Sequence, residues 1–426
     1  MLTSRRMLSL LLAAAAVIAI LSGCYAAPVS ETTEQGGETS GAIVTDSKIP
    51  VTTYPVPEEN IRTFGNMAAS ASTGGFWQWD TFFRPYIQAY DPVTRTTYVP
   101  CYQSGCRHND PTCNACFGDL QSLVEYRGNY YALVYTDDET ASALVTRPLS
   151  GGPLQILASW KPENEDEACR CVLRYVSFGK AYVTANRETY ALTEDGQLTT
   201  AAQESSLVSV DLQTGEVSTI LENDDGYDLY SVWEDIAAFR MLEMAEDAPE
   251  FEDWLAQQPE GTSWDEYDRQ FLGIRFLVRN LKTGEETVLV DASENYVRTV
   301  DPHRSWGQYA VYQVDRGLYV YDLEKQETKR LFTYDQDWND YNYMILDGHV
   351  IAVCGTEDVC RVWAISIEDG AVTEQDILGR DRMVYTIEYE CNKYFVGLLV
   401  DSSGNADEYY ISKEDYYRSN YDGAFR

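Results

Sequence analysis

The chain has 426 residues, of which 32 are basic and 68 acidic, for a formal charge of −36. So acidic a surface repels phosphate backbones and anionic headgroups, which argues against nucleic acid as a partner. The acidity reads first as solubility and self-repulsion at a crowded surface, ahead of dedicated cation binding.

In chain order, the first element is an export signal. Arg5 and Arg6 precede an apolar run from Leu8 to Leu21. That run has 14 residues, short of the roughly 20 apolar residues that a spanning helix needs. Leu21-Ser-Gly-Cys24 closes it and resembles a bacterial lipoprotein lipobox, which implies cleavage before Cys24 and acylation of its thiol. Residues 1–23 are then the signal, and two or three acyl chains on Cys24 give the stable anchoring that one chain does not. Ser4, Arg5, Arg6 and Leu8 also resemble a twin-arginine signal, but the Leu-rich run favours the general secretory route. Residues 24–60 carry Ser, Thr, Glu, Gly and Pro without usable periodicity and read as a tether.

From 61 to 426 one composition persists, and its strands recur as a unit. Leu207-Val-Ser-Val-Asp-Leu-Gln-Thr-Gly, Phe276-Leu-Val-Arg-Asn-Leu-Lys-Thr-Gly and Leu318-Tyr-Val-Tyr-Asp-Leu are its clearest copies, each a strand leading into a turn and a second strand. Asp or Asn after the first strand bonds the turn backbone, and Gly takes the positive φ that closes the hairpin. The turn-starting positions are Asp91, Arg147, Asp211, Asn280, Asp322, Ser366 and Ser412, at intervals of 56, 64, 69, 42, 44 and 46. The last three intervals fit four-stranded propeller blades, which repeat every 40 to 50 residues or so. Two further strands precede each hairpin. The expected fold is therefore all-β, a β-propeller of seven blades with four antiparallel strands each. The last unit shows only three clear strands, so we expect a strand within Arg62–Ser72 to complete it and close the ring. The long third interval holds Phe251, Trp254 and Leu255 on one helical face, and Ser263 with Glu266 as a capping box. A short helical insertion at about 245–272 in the fourth blade is expected, its aromatics packed inward.

The hairpin unit resembles the repeats of extracytoplasmic TolB-like and YWTD-like propellers. Cys101-Tyr-Gln-Ser-Gly-Cys-Arg-His-Asn-Asp-Pro-Thr-Cys is similar to a Cys and His loop of propeller lipoproteins of Gram-positive type. That resemblance implies a surface propeller and brings no established activity with it.

Nine cysteines follow Cys24, an odd number. Cys101, Cys106, His108, Cys113 and Cys116 offer the thiolate and imidazole set that zinc prefers, at a spacing that matches no standard zinc module. Outside the cell, stapling by at least one internal disulfide is the stronger expectation, with Cys169 and Cys171 as longer-range partners. Cys354 and Cys360 flank a turn and are expected to bridge across a hairpin. Asp335, Asp337, Asn339 and Asp340 sketch a calcium loop that lacks the EF-hand Gly and Glu, so a solvated loop is favoured. Trp77 and Trp79 share a strand face and read as packing residues ahead of a sugar platform, and His349 opens an apolar strand.

No nucleophile elbow, zincin, Walker or dinucleotide motif occurs in the sequence. The reading is a propeller lipid-anchored at the outer face of the bacterial cytoplasmic membrane, a non-catalytic binding or scaffolding module for a surface protein or glycan. The alternative is a surface glycosidase or lyase with a site over the propeller axis, because paired carboxylates leave no spacing signature.

Overall fold

The computed structural model describes Glu59, Ile61 and 67–424, apart from 71, 73, 81–83, 110–111, 137–138, 194–197, 223–226, 246–247, 259–266, 268–269, 292–296, 300–307, 337–339, 356–359, 376–383 and 401–405. The lipobox with Cys24, most of the tether, and the Ser263 and Glu266 capping pair lie outside the described residues. Contacts divide the chain into two units, one over 56–330 and one whose described part begins at Leu331.

Seven antiparallel sheets follow one another along the chain as meanders, the blade series of a β-propeller. Blade 1 holds β1 (Met67–Ala69), β2 (Phe76–Asp80), β3 (Arg84–Asp91) and β4 (Thr96–Tyr98). Blade 2 holds β5 (Asp119–Tyr126), β6 (Asn129–Thr136), β7 (Ala141–Pro148) and β8 (Gln155–Trp160). Blade 3 holds β9 (Glu167–Ser177), β10 (Lys180–Leu192), β11 (Leu198–Asp211) and β12 (Val217–Glu222). Blade 4 holds β13 (Tyr227–Trp233), β14 (Ile236–Met244), β15 (Leu272–Asn280) and β16 (Glu286–Val290). Blade 5 holds β17 (Val297–Thr299), β18 (Tyr309–Val314), β19 (Gly317–Asp322) and β20 (Glu327–Thr333). Blade 6 holds β21 (Asp340–Leu346), β22 (His349–Gly355), β23 (Cys360–Ser366) and β24 (Val372–Gln375), and blade 7 holds β25 (Val384–Cys391), β26 (Tyr394–Val400) and β27 (Ala406–Ser412).

Burial falls across each sheet. In blade 2, β5 and β6 are buried along most of their length on both faces, whereas β8 is largely exposed. Strands covered on both sides carry near-continuous apolar runs, and a polar outer strand blunts the edge it leaves open. One cluster joins Trp77, Trp79, Ile87, Leu123, Tyr130 and Val134 of blades 1 and 2, and a second joins Val124, Leu144, Leu173, Val183 and Val210 of blades 2 and 3. Both tryptophans are therefore core residues and offer no exposed platform.

All seven turn-starting positions fall in the third strand of a blade, six of them as its final residue. Asp211 Oδ1 accepts from the amides of Gln213 and Thr214 at 2.9 and 2.8 Å, and Asn280 Oδ1 from those of Lys282 and Thr283 at 2.9 and 3.0 Å. Four residues on, Gly215 and Gly284 take φ of 75° and 73°. In blades 1 and 5 the same slot is filled by Arg95 and Gln326, with φ of 56° and 54°.

The N-terminal segment departs from expectation. Instead of completing the last blade, β1 pairs with β2, Ala68 opposite Trp77, and so belongs to blade 1. Among the described residues blade 7 has three strands. Two contacts explain the difference. Glu125 on β5 is buried and accepts from Trp77 Nε1 at 2.8 Å, Ser70 Oγ at 2.8 Å, and the Ser72 amide and hydroxyl at 2.8 and 2.9 Å. Upstream, Ile61 bridges to Val176 through backbone bonds of 2.8 and 2.7 Å. Glu59, placed in the tether by its sequence, is likewise fastened, accepting from Arg127 Nη2 at 2.7 Å, the Phe178 amide at 2.5 Å and Tyr126 Oη at 3.0 Å.

The helical insertion falls between β14 and β15 and is small. Helix α1 (Phe251–Leu255) buries Trp254. The rings of Phe251, Trp254, Tyr267 and Phe271 pack on one another at 4.9 to 6.3 Å, so the insertion carries its own aromatic core.

Candidate metal centre

The link from blade 1 to blade 2 folds back on itself. A turn returns the Cys106 amide to the Gln103 carbonyl at 3.3 Å, with Gly105 at φ 73°, and His108 takes φ 57°. Gln103 Nε2 reaches the Thr112 carbonyl at 2.7 Å and draws the two limbs together. The returning limb is held to β3 by the Ile87 amide, which donates to Ala115 at 2.9 Å, and by a bridge between Tyr86 and Cys116.

This path brings one ligand atom from each of Cys101, Cys106, His108 and Cys113 within 4.8 Å of every other. His108 Nδ1 lies 3.2 Å from Cys113 Sγ. Backbone amides point at the sulfurs, His108 N at Cys106 Sγ and Ala115 N at Cys113 Sγ, both at 3.4 Å. Burial pushes the Cys113 thiol up to about 12. Cys101 is also opposed by burial, but amide donors at Gln103 and Asn114 and the neighbouring thiols bring it below its ordinary value. Three sulfurs and an imidazole at this spacing form a soft, N/S donor set with the convergence of a tetrahedral site. Cys116, the fifth sequence candidate, is buried on the β3 bridge and stands outside the set.

Arg147, the one cation among the turn-starting positions, is fully buried beside this loop. Its Nη1 donates to the carbonyls of Cys113, Asn114 and Cys116 at 2.6, 2.8 and 3.2 Å, and its guanidinium lies 5.1 Å over the Phe117 ring. Burial lowers its pKa, while the thiols of Cys113, Cys116 and Cys101 act in the opposite sense.

The cysteines expected to form disulfides take the following places among the described residues. Cys101, Cys106 and Cys113 are free thiols gathered about His108. Cys169 and Cys171 lie on β9, and Cys171 packs in the core of blades 2 and 3 while the loop cysteines pack in that of blades 1 and 2. Cys354 stands opposite Arg361 and Cys360 opposite Gly355, one residue out of register for the proposed bridge. Of the calcium candidates, Asp335 is exposed in a bend, Asp340 opens β21 opposite Gly355, and Asp337 and Asn339 lie outside the described residues.

A second polar constellation, unforeseen from the sequence apart from His349, lies in blades 6 and 7. Lys413, on helix α2 (Lys413–Tyr417), places Nζ 2.9 Å from Asp347 and 2.6 Å from Glu390, all three fully buried. Tyr417 Oη donates to Asp347 at 3.0 Å and lies 3.1 Å from His349 Nδ1. Burial raises the Glu390 pKa against the pull of Lys413. Burial also opposes the Lys413 charge, but Glu390 and Asp347 outweigh it and raise its pKa. Desolvation depresses His349, which is consistent with a packed, neutral imidazole.

No known family profile matches the chain, and no curated protein does. Among solved structures it is similar to a prolyl endopeptidase, at 12 % identity and a TM-score of 0.44 over 69 % of this chain and 41 % of that one. It is also similar to the β-propeller domain of the Trilobed protease from Pyrococcus furiosus, at 11 % and 0.41 over 83 % and 93 %, and to TolB from Acinetobacter baumannii, at 11 % and 0.29 over 82 % and 79 %. The chain thus spans about two-fifths of the endopeptidase. The likeness is one of propeller fold and extends to no activity.

Proposed function

We propose that the protein is a β-propeller lipid-anchored through Cys24 at the outer face of the bacterial cytoplasmic membrane, where it serves as a non-catalytic binding or scaffolding module for a surface protein or glycan. The observation that carries this reading is where the framework places its charge. Glu125, Arg147 and the Lys413, Asp347 and Glu390 triad are buried and engaged by protein groups. Buried, hydrogen-bonded charges of this kind stiffen the blades that hold them and fix the loops of those blades, which is what a presenting scaffold requires. The acidic surface favours cationic or neutral partners over nucleic acid and anionic lipid.

Fractionation of cells expressing the chain and its Cys24→Ala variant tests the anchor. The variant is expected to remain unprocessed or to leave the membrane fraction, and normal processing with unchanged membrane association would refute it. Surface crosslinking and a glycan array test the binding role, and turnover of an oligosaccharide by the purified chain would overturn the non-catalytic reading.

A further inference from the structure

We infer that Cys101, Cys106, His108 and Cys113 bind one Zn²⁺ as a closed, structural tetrahedral site, and that Arg147 supplies the positive charge that completes it. The ion would tie the link between blades 1 and 2 in place of a disulfide.

Three independent observations converge on this assignment. The first is geometric. Zinc–sulfur bonds of about 2.3 Å and zinc–nitrogen bonds of about 2.0 Å put neighbouring ligand atoms of a tetrahedron roughly 3.5 to 3.8 Å apart. The four donors lie within 4.8 Å of one another, and the His108 to Cys113 pair is at 3.2 Å. A disulfide would use two of these sulfurs and leave the third thiol and the imidazole without a purpose at the same point. Four protein ligands leave no open position, so the site is structural and not catalytic.

The second is the set of amides aimed at sulfur. His108 N and Ala115 N lie 3.4 Å from Cys106 Sγ and Cys113 Sγ. Hydrogen bonds of this type stabilise thiolate, the form that ligates metal, and such outer partners orient a site and tune its affinity.

The third is charge. Binding replaces three thiol protons, released to solvent, by one divalent ion. Three thiolates, a neutral imidazole and Zn²⁺ carry a net single negative charge. Arg147, fully buried and anchored on the carbonyls of Cys113, Asn114 and Cys116, places a single positive charge against that centre. Metal-bound thiolates would set negative charge beside this buried guanidinium, a favourable pairing where water is excluded. Soft sulfur donors in a tetrahedral arrangement select zinc over calcium or magnesium, whose ligands are oxygens.

The test uses the full chain purified without reductant or chelator. Elemental analysis is expected to find one zinc per chain, and peptide mapping to find Cys101, Cys106 and Cys113 alkylated as free thiols only after the metal is stripped. Co²⁺ added to the stripped protein is expected to give the ligand-field absorption of a tetrahedral thiolate site, saturating at one equivalent. Cys113→Ser and His108→Ala are expected to lose that spectrum and the zinc, whereas Cys116→Ser retains both. Because a loop variant that fails to fold would lose the metal as well, Arg147→Lys and Arg147→Met are compared by chelator competition at matched circular dichroism. Met is expected to weaken zinc by about 10 to 100-fold, the scale of outer-partner effects, and Lys to recover part of that loss. A metal-free native chain with a disulfide among Cys101, Cys106 and Cys113 would overturn the assignment. Zinc retained at full stoichiometry in Cys113→Ser would do the same. Equal affinities in the wild type and both Arg147 variants would remove Arg147 from it.

Discussion

Lys413→Met gives the sharpest energetic test of the framework. The substitution keeps much of the side-chain volume but removes the cation between Asp347 and Glu390, which accept from it at 2.9 and 2.6 Å in a fully buried setting. Two buried carboxylates cannot both stay ionised there, so Glu390, already displaced upward by burial, takes a proton. Holding it neutral at pH 7, against an ordinary value of 4.5, costs about 1.4 kcal/mol per pH unit, or roughly 3 kcal/mol in total. That agrees with the 3 to 5 kcal/mol or so typical of breaking a buried ion pair from one side. The sign follows from proton counting. Above pH 4.5 the folded variant holds a proton on Glu390 that the unfolded chain has lost, so stability falls as pH rises. Urea unfolding followed by tryptophan fluorescence is expected to show a loss of about 3 kcal/mol at pH 7 that shrinks by about 1.4 kcal/mol per unit toward pH 4.5. Adding Glu390→Gln to Lys413→Met is expected to restore most of the loss at pH 7. A loss below about 1 kcal/mol that does not vary with pH would refute the reasoning, since exposed ion pairs behave that way.

Three further outcomes follow from the blades. Gly215 and Gly284 share the left-handed turn slot, but a Cβ on Gly215 would lie 2.6 Å from the Leu157 carbonyl, whereas Gly284 meets only Arg279 Nη2 at 3.9 Å. Both Ala variants are expected to lose about 1 kcal/mol to strain, and Gly215→Ala about 1 to 3 kcal/mol more to the clash, as measured by denaturation midpoints. Gln326→Gly relieves the same strain from the other side, and a gain of about 0.5 to 1 kcal/mol is expected in the same assay. Deleting 26–55 is expected to leave the melting temperature nearly unchanged. Extending the deletion through Ser72 strips β1 and the Ser70 and Ser72 donors of Glu125 and is expected to lower it sharply, and equal effects would contradict the anchoring described.

What the sequence by itself determined is local and periodic. Asp211 or Asn280 bonds amides two and three residues on, and Gly215 or Gly284 takes a positive φ within the same turn. Each such turn closes over a handful of residues, so its chemistry is written in adjacent letters, and its recurrence placed all seven blades. The Cys and His cluster was visible as a donor set for the same reason, since its members span 13 residues. Its state was not legible, because free thiols converging on His108 and a stapled loop share one spacing. Only the tertiary structure brought Arg147 to the carbonyls of Cys113 and Cys116, Glu125 to Ser70 across 55 positions, and Lys413 to Asp347 across 66. It also gave β1 to the first blade instead of the last, a choice between two strand edges far apart in sequence with the same kinds of backbone donors and acceptors. Burial of a charge depends on which strands cover it, and no pattern of neighbouring residues encodes that; the packing of one blade on the next decides it.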